Sequence, residues 1–324
     1  MNTIMIIGAG QLGSRHLQAL ALYENPCKLL VVDPSRSNLE ISKTRYEEIV
    51  GFDRHELKYY SSIIQVKEKE IDLAVIATNS NVRSLVIKEL YKNRKVKYLI
   101  LEKVLFQSID EYDQISKLFH TNPTKVYVNH SRRMFQFYQK LKNIFLSQSN
   151  IQMEIVGNDW GLGCNGVHFI DLFSFLTGEF IESWENNLFP SLTRSKREGY
   201  YEFHGNISGK TLKGNSLSLT SFKGSNPNAS VRISTERFRY TIEEWDGIAR
   251  FIDTSSNIPH SEILLNIIPQ SKLTNIVAEQ LSKNDNCTLT KYEDACRVHV
   301  PFVKTILAHY NSISNGNTKT CPIT

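Results

Sequence analysis

Long apolar runs and paired cysteines are both missing from the 324-residue sequence, and each absence excludes a class of protein. The five cysteines are an odd number and form no CxxC pair, so we expect neither a disulfide framework nor a bound metal ion. The first apolar run, residues 4–7, is too short for a signal peptide, and no stretch is long enough to span a membrane. These features predict a cytoplasmic protein without a membrane partner.

A strong excess of charge is missing as well. The 38 basic and 33 acidic residues leave a formal net charge of +5, and the 41% hydrophobic content is ordinary for a globular protein. Basic clusters such as residues 194–197 are short and have no interleaved aromatic residues, so we do not expect a nucleic-acid partner. The length predicts about two domains.

The most informative segment is GAGQLG at residues 8–13, which follows an apolar run and precedes a predicted helix. Alone, such a GxGxxG motif often marks just a sharp turn from strand to helix. Here a second apolar run ends in Asp33, 20 residues after Gly13, the spacing expected of an acidic residue that binds a ribose. We therefore predict dinucleotide binding. The predicted cofactor-binding residues are Gly8, Gly10, Gln11, Leu12, Gly13, Asp33, Arg36, Thr78, Asn79 and Glu102.

Asp33 also bears on which dinucleotide binds. Its carboxylate is suited to accept a hydrogen bond from the ribose 2′-hydroxyl of NAD and repels the 2′-phosphate of NADP. Ser35 and Arg36 lie just beyond and are placed to accommodate that phosphate if the loop turns inward. We expect NAD, with NADP as the alternative.

Apolar runs and helical patterns alternate along residues 1–130, as in a parallel, doubly wound α/β sheet. Beyond residue 130, segments of period-two alternation such as residues 216–222 and 230–235 are separated by turn residues, which is typical of an antiparallel sheet. The predicted fold is an α/β Rossmann domain, residues 1–130, followed by an α+β domain with an open, mainly antiparallel sheet, residues 131–324.

Lys103 and His168 are the candidate catalytic residues. Lys103 directly follows the apolar run 97–101, so we expect its amine to enter a ligand cleft at the carboxyl ends of the strands and to shuttle a proton there. His168 lies four residues after Cys164 and three before Asp171 in a predicted helix, so one face carries all three and Asp171 is placed to orient the imidazole. Taken singly, a surface lysine and a core histidine are the more common interpretations.

Together these motifs resemble those of the glucose–fructose oxidoreductase, inositol dehydrogenase and related (Gfo/Idh/MocA) family, over nearly the whole chain. The matching segments are residues 8–16, 33–34, 72–78, 102–103, 166–171 and 291–299. The resemblance implies NAD(P)-dependent oxidation or reduction of a sugar, cyclitol or nucleotide-linked sugar, with Lys103 and His168 as the family's lysine and histidine. It also implies that the open sheet serves oligomerisation, so we expect a homodimer or homotetramer.

Two residues depart from the family pattern. Val104 stands where the family has a proline after the lysine, which removes a rigid residue from the catalytic turn. Cys164 stands where many members carry an aspartate, and a thiol does not replace an ionised carboxylate at neutral pH without a much lowered pKa. Two alternatives therefore stay open: a non-catalytic regulator that binds a dinucleotide or sugar, and a lyase or glycosidase that uses NAD in a redox-neutral cycle.

The substrate contacts are less well defined by the sequence. Arg132 is a candidate for binding an anionic group, and Asn165 and Asp171 lie on the same predicted helix as the candidate histidine. Trp160 is placed to stack on a sugar, although core packing is the more common role of such an aromatic. The predicted function is hydride transfer between nicotinamide and a hydroxyl or keto carbon of a sugar derivative, a nucleotide-linked or amino sugar of polysaccharide biosynthesis.

Overall fold

The computed structural model describes residues 1–49, 51–256 and 261–324, which form two compact units. The first unit consists of Met1–Phe106, Asp110–Ser131 and Ile268–Tyr292. The second unit consists of Gln107–Ile109, Arg132–Ile267 and Glu293–Thr324. The continuous domains predicted from the sequence differ from these units chiefly in Ile268–Tyr292, which belongs to the first.

The first unit is built on a parallel sheet whose strands are apolar along most of their length. Its strands are β1 (Thr3–Ile7), β2 (Lys28–Val32), β3 (Glu56–Tyr60), β4 (Glu70–Ile76), β5 (Lys95–Leu101) and β6 (Lys125–Val128). Ile4 and Met5 of β1 are both 0% exposed, as expected of a strand covered on both faces. All neighbouring pairs among these six strands of the described chain are parallel, so the predicted doubly wound sheet is confirmed.

The strand order explains where a ligand fits. The order is β3–β2–β1–β4–β5–β6, so the chain reverses direction across the sheet between β1 and β4. Ligands of such sheets bind outside the carboxyl ends of the strands at this reversal. The helices of the unit are α1 (Gln11–Leu20), α2 (Arg36–Glu47), α3 (Ser80–Tyr91), α4 (Ile109–His120) and α7 (Thr274–Asn284), with short 3-10 turns at Phe52–Arg54, Ile63–Gln65 and Gln270–Lys272.

Ile268–Tyr292 joins the first unit through backbone and side-chain bonds to its edge. Strand β17 (Thr290–Lys291) pairs antiparallel with β6, with Thr290 opposite Val128. The Tyr127 hydroxyl donates a hydrogen bond to Asn286 Oδ1 at 3.0 Å. These contacts join residues about 160 positions apart in the sequence, which periodicity within a short window does not reveal.

The second unit is built on an open, mainly antiparallel sheet. Its strands are β7 (Gln152–Asn158), β8 (Glu185–Leu188), β11 (Gly205–Lys210), β12 (Ser216–Phe222), β13 (Asn228–Ser234), β14 (Phe238–Glu243), β15 (Ile248–Asp253) and β16 (Ser261–Leu264). A separate pair consists of β9 (Thr193–Arg194) and β10 (Tyr201–Glu202). Among the described residues the order of the large sheet is β16–β15–β14–β13–β7–β12–β11–β8, and β7 and β12 are its one parallel pair. The predicted α+β character of this half is confirmed.

Three helices belong mainly to this second unit: α5 (Gln136–Phe145), α6 (Leu162–Thr177) and α8 (Tyr292–Ser314). A 3-10 turn, Ser131–Met134, precedes α5. Helix α6 begins at Leu162, so Gly166 lies inside it. A Cβ on Gly166 would lie 2.9 Å from the Phe302 ring, so the missing side chain lets α8 pack closely on α6. No helix of the described residues is long and apolar enough to cross a membrane.

Candidate active site

A cavity of about 560 Å³ lies at the carboxyl ends of β1, β2 and β4 in the first unit. Its lining includes five of the predicted cofactor-binding residues: Gly8, Gly10, Asp33, Thr78 and Asn79. Most of the remaining lining is aliphatic, from residues such as Ile7, Val32 and Val82. A largely apolar pocket with a few placed polar groups suits the adenosine part of a dinucleotide.

The three glycines of the motif have different roles in the geometry. Gly8 has φ +91°, a conformation that favours glycine. A Cβ on Gly13 would lie 1.7 Å from the Gly8 carbonyl oxygen, so α1 packs on β1 through the missing side chain. A Cβ on Gly10 would meet no protein atom within 4 Å. The space beside Gly10 is therefore open for a pyrophosphate, which the start of α1 attracts through its N–H groups.

Asp33 is held in place by its own loop. Its Oδ2 accepts a hydrogen bond from Ala9 N–H at 2.6 Å, and its Oδ1 accepts one from Ser35 N–H at 2.8 Å. The Asn38 side-chain amide donates to both oxygens at 3.2 and 3.3 Å. The carboxylate therefore has a fixed direction at the cavity wall. Asn38 is a cavity residue that the sequence motif did not identify.

Gln11, Leu12 and Arg36 contribute less directly. Gln11 Oε1 accepts a hydrogen bond from Arg45 at 2.7 Å, and Leu12 is half-buried at the start of α1. Arg36 pairs with Glu40 at 3.0 Å, and its side chain is 92% exposed. Cofactor contacts by these three residues stay predictions.

Glu102 belongs to a buried polar network. Its Oε1 lies 2.9 Å from His16 Nε2 and also accepts a hydrogen bond from the Asn129 amide. His16 Nδ1 lies 2.8 Å from Thr274 Oγ1, and Asn129 donates to Gln270 at 2.9 Å. The network connects α1, the ends of β5 and β6, and the late segment Gln270–Thr274.

The network keeps Glu102 ionised beside Lys103. Burial acts to raise the pKa of Glu102, but the hydrogen bond and charge of His16, the bond from Asn129 and the charge of Lys103 outweigh it and hold that pKa below its usual range. Glu102 is 3% exposed, so the same bonds fix the backbone that immediately precedes Lys103. The cofactor contact predicted for Glu102 stays a prediction.

Arg83 holds the chain on the other side of Lys103. Its guanidinium, on a residue 1% exposed, donates to the carbonyl oxygen of Leu105 at 2.8 Å and also to those of Val104 and Thr78. The Lys103–Val104 peptide bond is cis. Arg83 thus joins the loops that follow β4 and β5. A charged residue within α3 belongs to no motif, so no sequence signal identifies this role.

In the second unit, the N-terminal half of α6 presents a face with three half-buried residues: Cys164, Asn165 and His168. Leu162 and Val167 are both 0% exposed on the other side of the helix. Positions four apart lie on one helix face, so the shared face predicted for Cys164 and His168 agrees with the burial pattern. Asn165 donates its amide to the Trp160 carbonyl oxygen at 2.7 Å.

Asp171 is paired within the protein. Its carboxylate, 0% exposed, forms a two-point ion pair with the Arg133 guanidinium at 2.7 Å for each contact. A buried carboxylate needs such a partner, since an unpaired buried charge is strongly unfavourable. Contacts of Asp171 with His168 or with the substrate stay predictions.

Arg132 is likewise paired within the protein, against its predicted role in binding an anion. It contacts both oxygens of Glu244 at 2.6–3.1 Å, and the Tyr138 hydroxyl donates to Glu244 at 2.6 Å. Burial acts to raise the pKa of Glu244, but the charge and hydrogen bonds of Arg132 outweigh it and lower that pKa. The positive charge of Arg132 is thus already balanced by a carboxylate.

Trp160 packs in the core of the second unit and does not present a free face. It is 5% exposed, its Nε1–H donates to the Thr220 carbonyl oxygen at 2.8 Å, and its ring meets Phe169 edge-on at 5.4 Å. The core-packing interpretation therefore replaces stacking on a sugar.

Comparisons with known proteins agree with this geometry. Residues 3–130 match a family model described as "Oxidoreductase family, NAD-binding Rossmann fold", that of the Gfo/Idh/MocA proteins. No curated protein matches the chain.

Several solved structures share the two-domain fold. UDP-N-acetylglucosamine 3-dehydrogenase from Acidithiobacillus ferrooxidans is 14% identical with a TM-score of 0.69, and the match covers 94% of this chain and 97% of that chain. Biliverdin reductase from Synechocystis, in complex with biliverdin and NADP+, is 11% identical with a TM-score of 0.71 over 94% and 97%. The super-repressor mutant of Gal80p from Saccharomyces cerevisiae is 14% identical with a TM-score of 0.72 over 97% and 96%.

At these identities the structural matches establish the fold, and the family model adds the cofactor. Residues 3–130, which carry the glycine motif and Asp33, match the NAD-binding Rossmann domain of the Gfo/Idh/MocA oxidoreductase family.

Proposed function

We propose that the protein transfers hydride between nicotinamide and a hydroxyl or keto carbon of a sugar derivative, specifically a nucleotide-linked or amino sugar of polysaccharide biosynthesis. The observation that carries the proposal is the position of Lys103 in the first unit. Lys103 follows β5, and the cavity lined by Gly10 and Asp33 lies at the same edge of the sheet. In a sheet with this strand order, a bound dinucleotide lies across the point between β1 and β4 where the chain reverses direction. Its nicotinamide end therefore lies beside β4 and β5.

Each protein group in the proposed reaction has a defined task. A bound nicotinamide would supply the acceptor for the hydride that leaves the carbinol carbon. Lys103 takes the hydroxyl proton while the C–O bond becomes a carbonyl, and in the reverse direction it returns the proton. His168 polarises the same oxygen or relays the proton. Glu102 and Arg83 act as positioning residues that hold the chain on either side of Lys103.

The choice of a sugar rests on the family resemblance and on one structural relative. The Acidithiobacillus ferrooxidans relative is a UDP-N-acetylglucosamine 3-dehydrogenase by name. Its likeness supports the fold, and its name makes UDP-N-acetylglucosamine the first substrate to try.

An assay of cofactor reduction tests the proposal. The purified protein is incubated with NAD+ or NADP+ and a panel of sugars and nucleotide sugars, and the absorbance of reduced nicotinamide is followed. Reduction with at least one member is the expected result. Product without net reduced cofactor would indicate a redox-neutral lyase or glycosidase, and tight cofactor binding without any turnover would favour a regulator.

A preference for NAD over NADP forms part of the proposal and is tested at Asp33. The Asp33→Asn variant keeps one oxygen to accept from Ala9 N–H but loses the charge that repels a 2′-phosphate. The ratio of kcat/KM for NAD+ to that for NADP+ is expected to fall about tenfold or more, equivalent to about 1.4 kcal/mol. The control is Glu47→Gln, which removes one negative charge from the exposed far end of α2, away from Arg36, and should leave the ratio unchanged. An unchanged ratio in Asp33→Asn would show that Asp33 does not determine the preference for NAD+ over NADP+.

Self-association through the second sheet belongs to the same proposal. In β7, Met153 and Ile155 are 1% and 0% exposed, whereas the alternate residues Gln152 and Glu154 are exposed. One face of this sheet is therefore open in the single chain. Light scattering after size exclusion is expected to give two or four times the chain mass of 37.2 kDa. A mass of one chain at micromolar concentration would contradict this part.

A further inference from the structure

Asn38 is the residue of α2 that lines the cavity at the carboxyl ends of β1, β2 and β4. It lies in the first turn of the helix, where its backbone N–H donates to Oγ of the N-cap residue Ser35 at 3.4 Å. Arg36 of the same turn is exposed and pairs with Glu40. Asn38 is therefore the polar side chain that α2 contributes to the cavity wall.

The carboxamide of Asn38 has a defined orientation. Its Nδ2 donates to both oxygens of Asp33, at 3.2 and 3.3 Å. An ionised carboxylate has no hydrogen to donate, so the amide nitrogen, and not Oδ1, must be the atom that faces Asp33. Within the described part of the chain, no group donates a hydrogen bond to Oδ1 of Asn38. This oxygen is an acceptor that a ligand in the cavity can use.

Asp33 itself has little accepting capacity left. Besides the Asn38 amide, it accepts from Ala9 N–H at 2.6 Å and from Ser35 N–H at 2.8 Å, and it is 6% exposed. A carboxylate offers about four lone-pair sites, and the two longer contacts from one amide nitrogen fill theirs only in part. Asp33 therefore has room for one ligand donor and not for two.

The adenosine ribose of NAD has two donors, its adjacent 2′- and 3′-hydroxyls. We infer that Asn38 is a second acceptor for this ribose: its Oδ1 binds one hydroxyl, and Asp33 accepts from the other. Nδ2 and Oδ1 share one carbon atom, so the amide bond to Asp33 holds the two acceptors side by side, as adjacent hydroxyls require. The inference rests on the dinucleotide part of the proposed function and not on the sugar.

The second acceptor bears on coenzyme preference. In NADP a 2′-phosphate replaces one of the two hydroxyl donors and adds negative charge beside Asp33. The phosphate oxygens would then face an amide oxygen and a carboxylate, neither of which can donate a hydrogen bond. Asn38 and Asp33 together therefore favour NAD over NADP.

Binding of ADP and its deoxy analogues tests the inference without turnover. Calorimetry with ADP, 2′-deoxy-ADP and 3′-deoxy-ADP measures the contribution of each hydroxyl. The wild type is expected to bind ADP about fivefold more tightly than either analogue, the usual effect of one hydrogen bond. In Asn38→Ala one of these two preferences should disappear and the other should remain. The dissociation constant for ADP should rise about fivefold in this variant.

Asn93→Ala is the matched control, because Asn93 is exposed just beyond α3 and loses the same carboxamide. It should keep both preferences. If Asn38→Ala keeps both or loses both, Asn38 does not accept from a single hydroxyl, and the inference is overturned while the proposed hydride transfer stands. Loss of one preference in Asn38→Ala supports the inference even if no sugar is oxidised. If the wild type does not bind ADP, the inference and the dinucleotide part of the proposed function fail together.

Discussion

Replacement of Lys103 by alanine is expected to lower kcat/KM for the sugar by about 10²–10⁴, the usual contribution of one general acid–base group. This range corresponds to about 3–5 kcal/mol of transition-state stabilisation. The loss should fall mainly on kcat, because the amine acts on a proton that moves during hydride transfer. Steady-state kinetics across pH, with NAD+ saturating, provide the measurement.

Two comparisons separate the chemistry of Lys103 from its charge. Added methylamine should restore part of the lost turnover to Lys103→Ala, since it returns an amine without the tether. Lys95→Ala removes an exposed lysine at the opposite end of the same strand and should retain wild-type kinetics. If Lys103→Ala retains more than a tenth of wild-type kcat/KM, Lys103 is not the proton carrier.

The same added methyl group should have opposite consequences at two glycines of the motif. In Gly13→Ala the new Cβ would lie 1.7 Å from a backbone oxygen and 2.8 Å from a backbone carbon of Gly8, so α1 must move away from β1. Overpacking of this kind costs about 1–3 kcal/mol or more, and here the obstacle is backbone that cannot rotate aside. Urea unfolding is expected to show that loss, with weaker NADH binding as its consequence.

Gly10→Ala is the matched partner of this variant. Its Cβ would meet no protein atom within 4 Å, and φ at Gly10 is −63°, which alanine adopts readily. The free energy of unfolding should therefore change by less than about 1 kcal/mol. The Cβ would instead occupy the space assigned to the pyrophosphate, so the dissociation constant for NADH should rise about tenfold or more. Wild-type NADH affinity in Gly10→Ala would show that the pyrophosphate lies elsewhere.

The sequence predicts the first unit well where the signal is local. The glycine motif, Asp33 and the apolar runs are each contained in a few residues, and the structure has Gly8, Gly10 and Asp33 at one cavity. The network around Glu102 escaped prediction because it joins four separate segments, and its members His16 and Thr274 are 258 positions apart. No periodicity connects such residues.

The second unit was predicted less completely, for two physical reasons. Strands β8 and β11 have the polar sequences ENNL and GNISGK, which lack the apolar alternation that identifies a strand. The partners of buried charges were also not predicted: Arg132 pairs with Glu244, and Asp171 pairs with Arg133. The sequence alone does not show whether the counter-ion of a charged residue is a ligand or another side chain.

The late segment Ile268–Tyr292 has a consequence for synthesis of the chain on the ribosome. The nucleotide-binding unit needs Thr274 beside His16 and β17 at its sheet edge, so it stays incomplete until translation has passed residue 292. Until then the nascent Rossmann strands emerge without their last edge strand, and an exposed edge invites pairing with other chains. Maturation of the coenzyme site is thus tied to synthesis of a segment that lies far beyond the six parallel strands in the sequence.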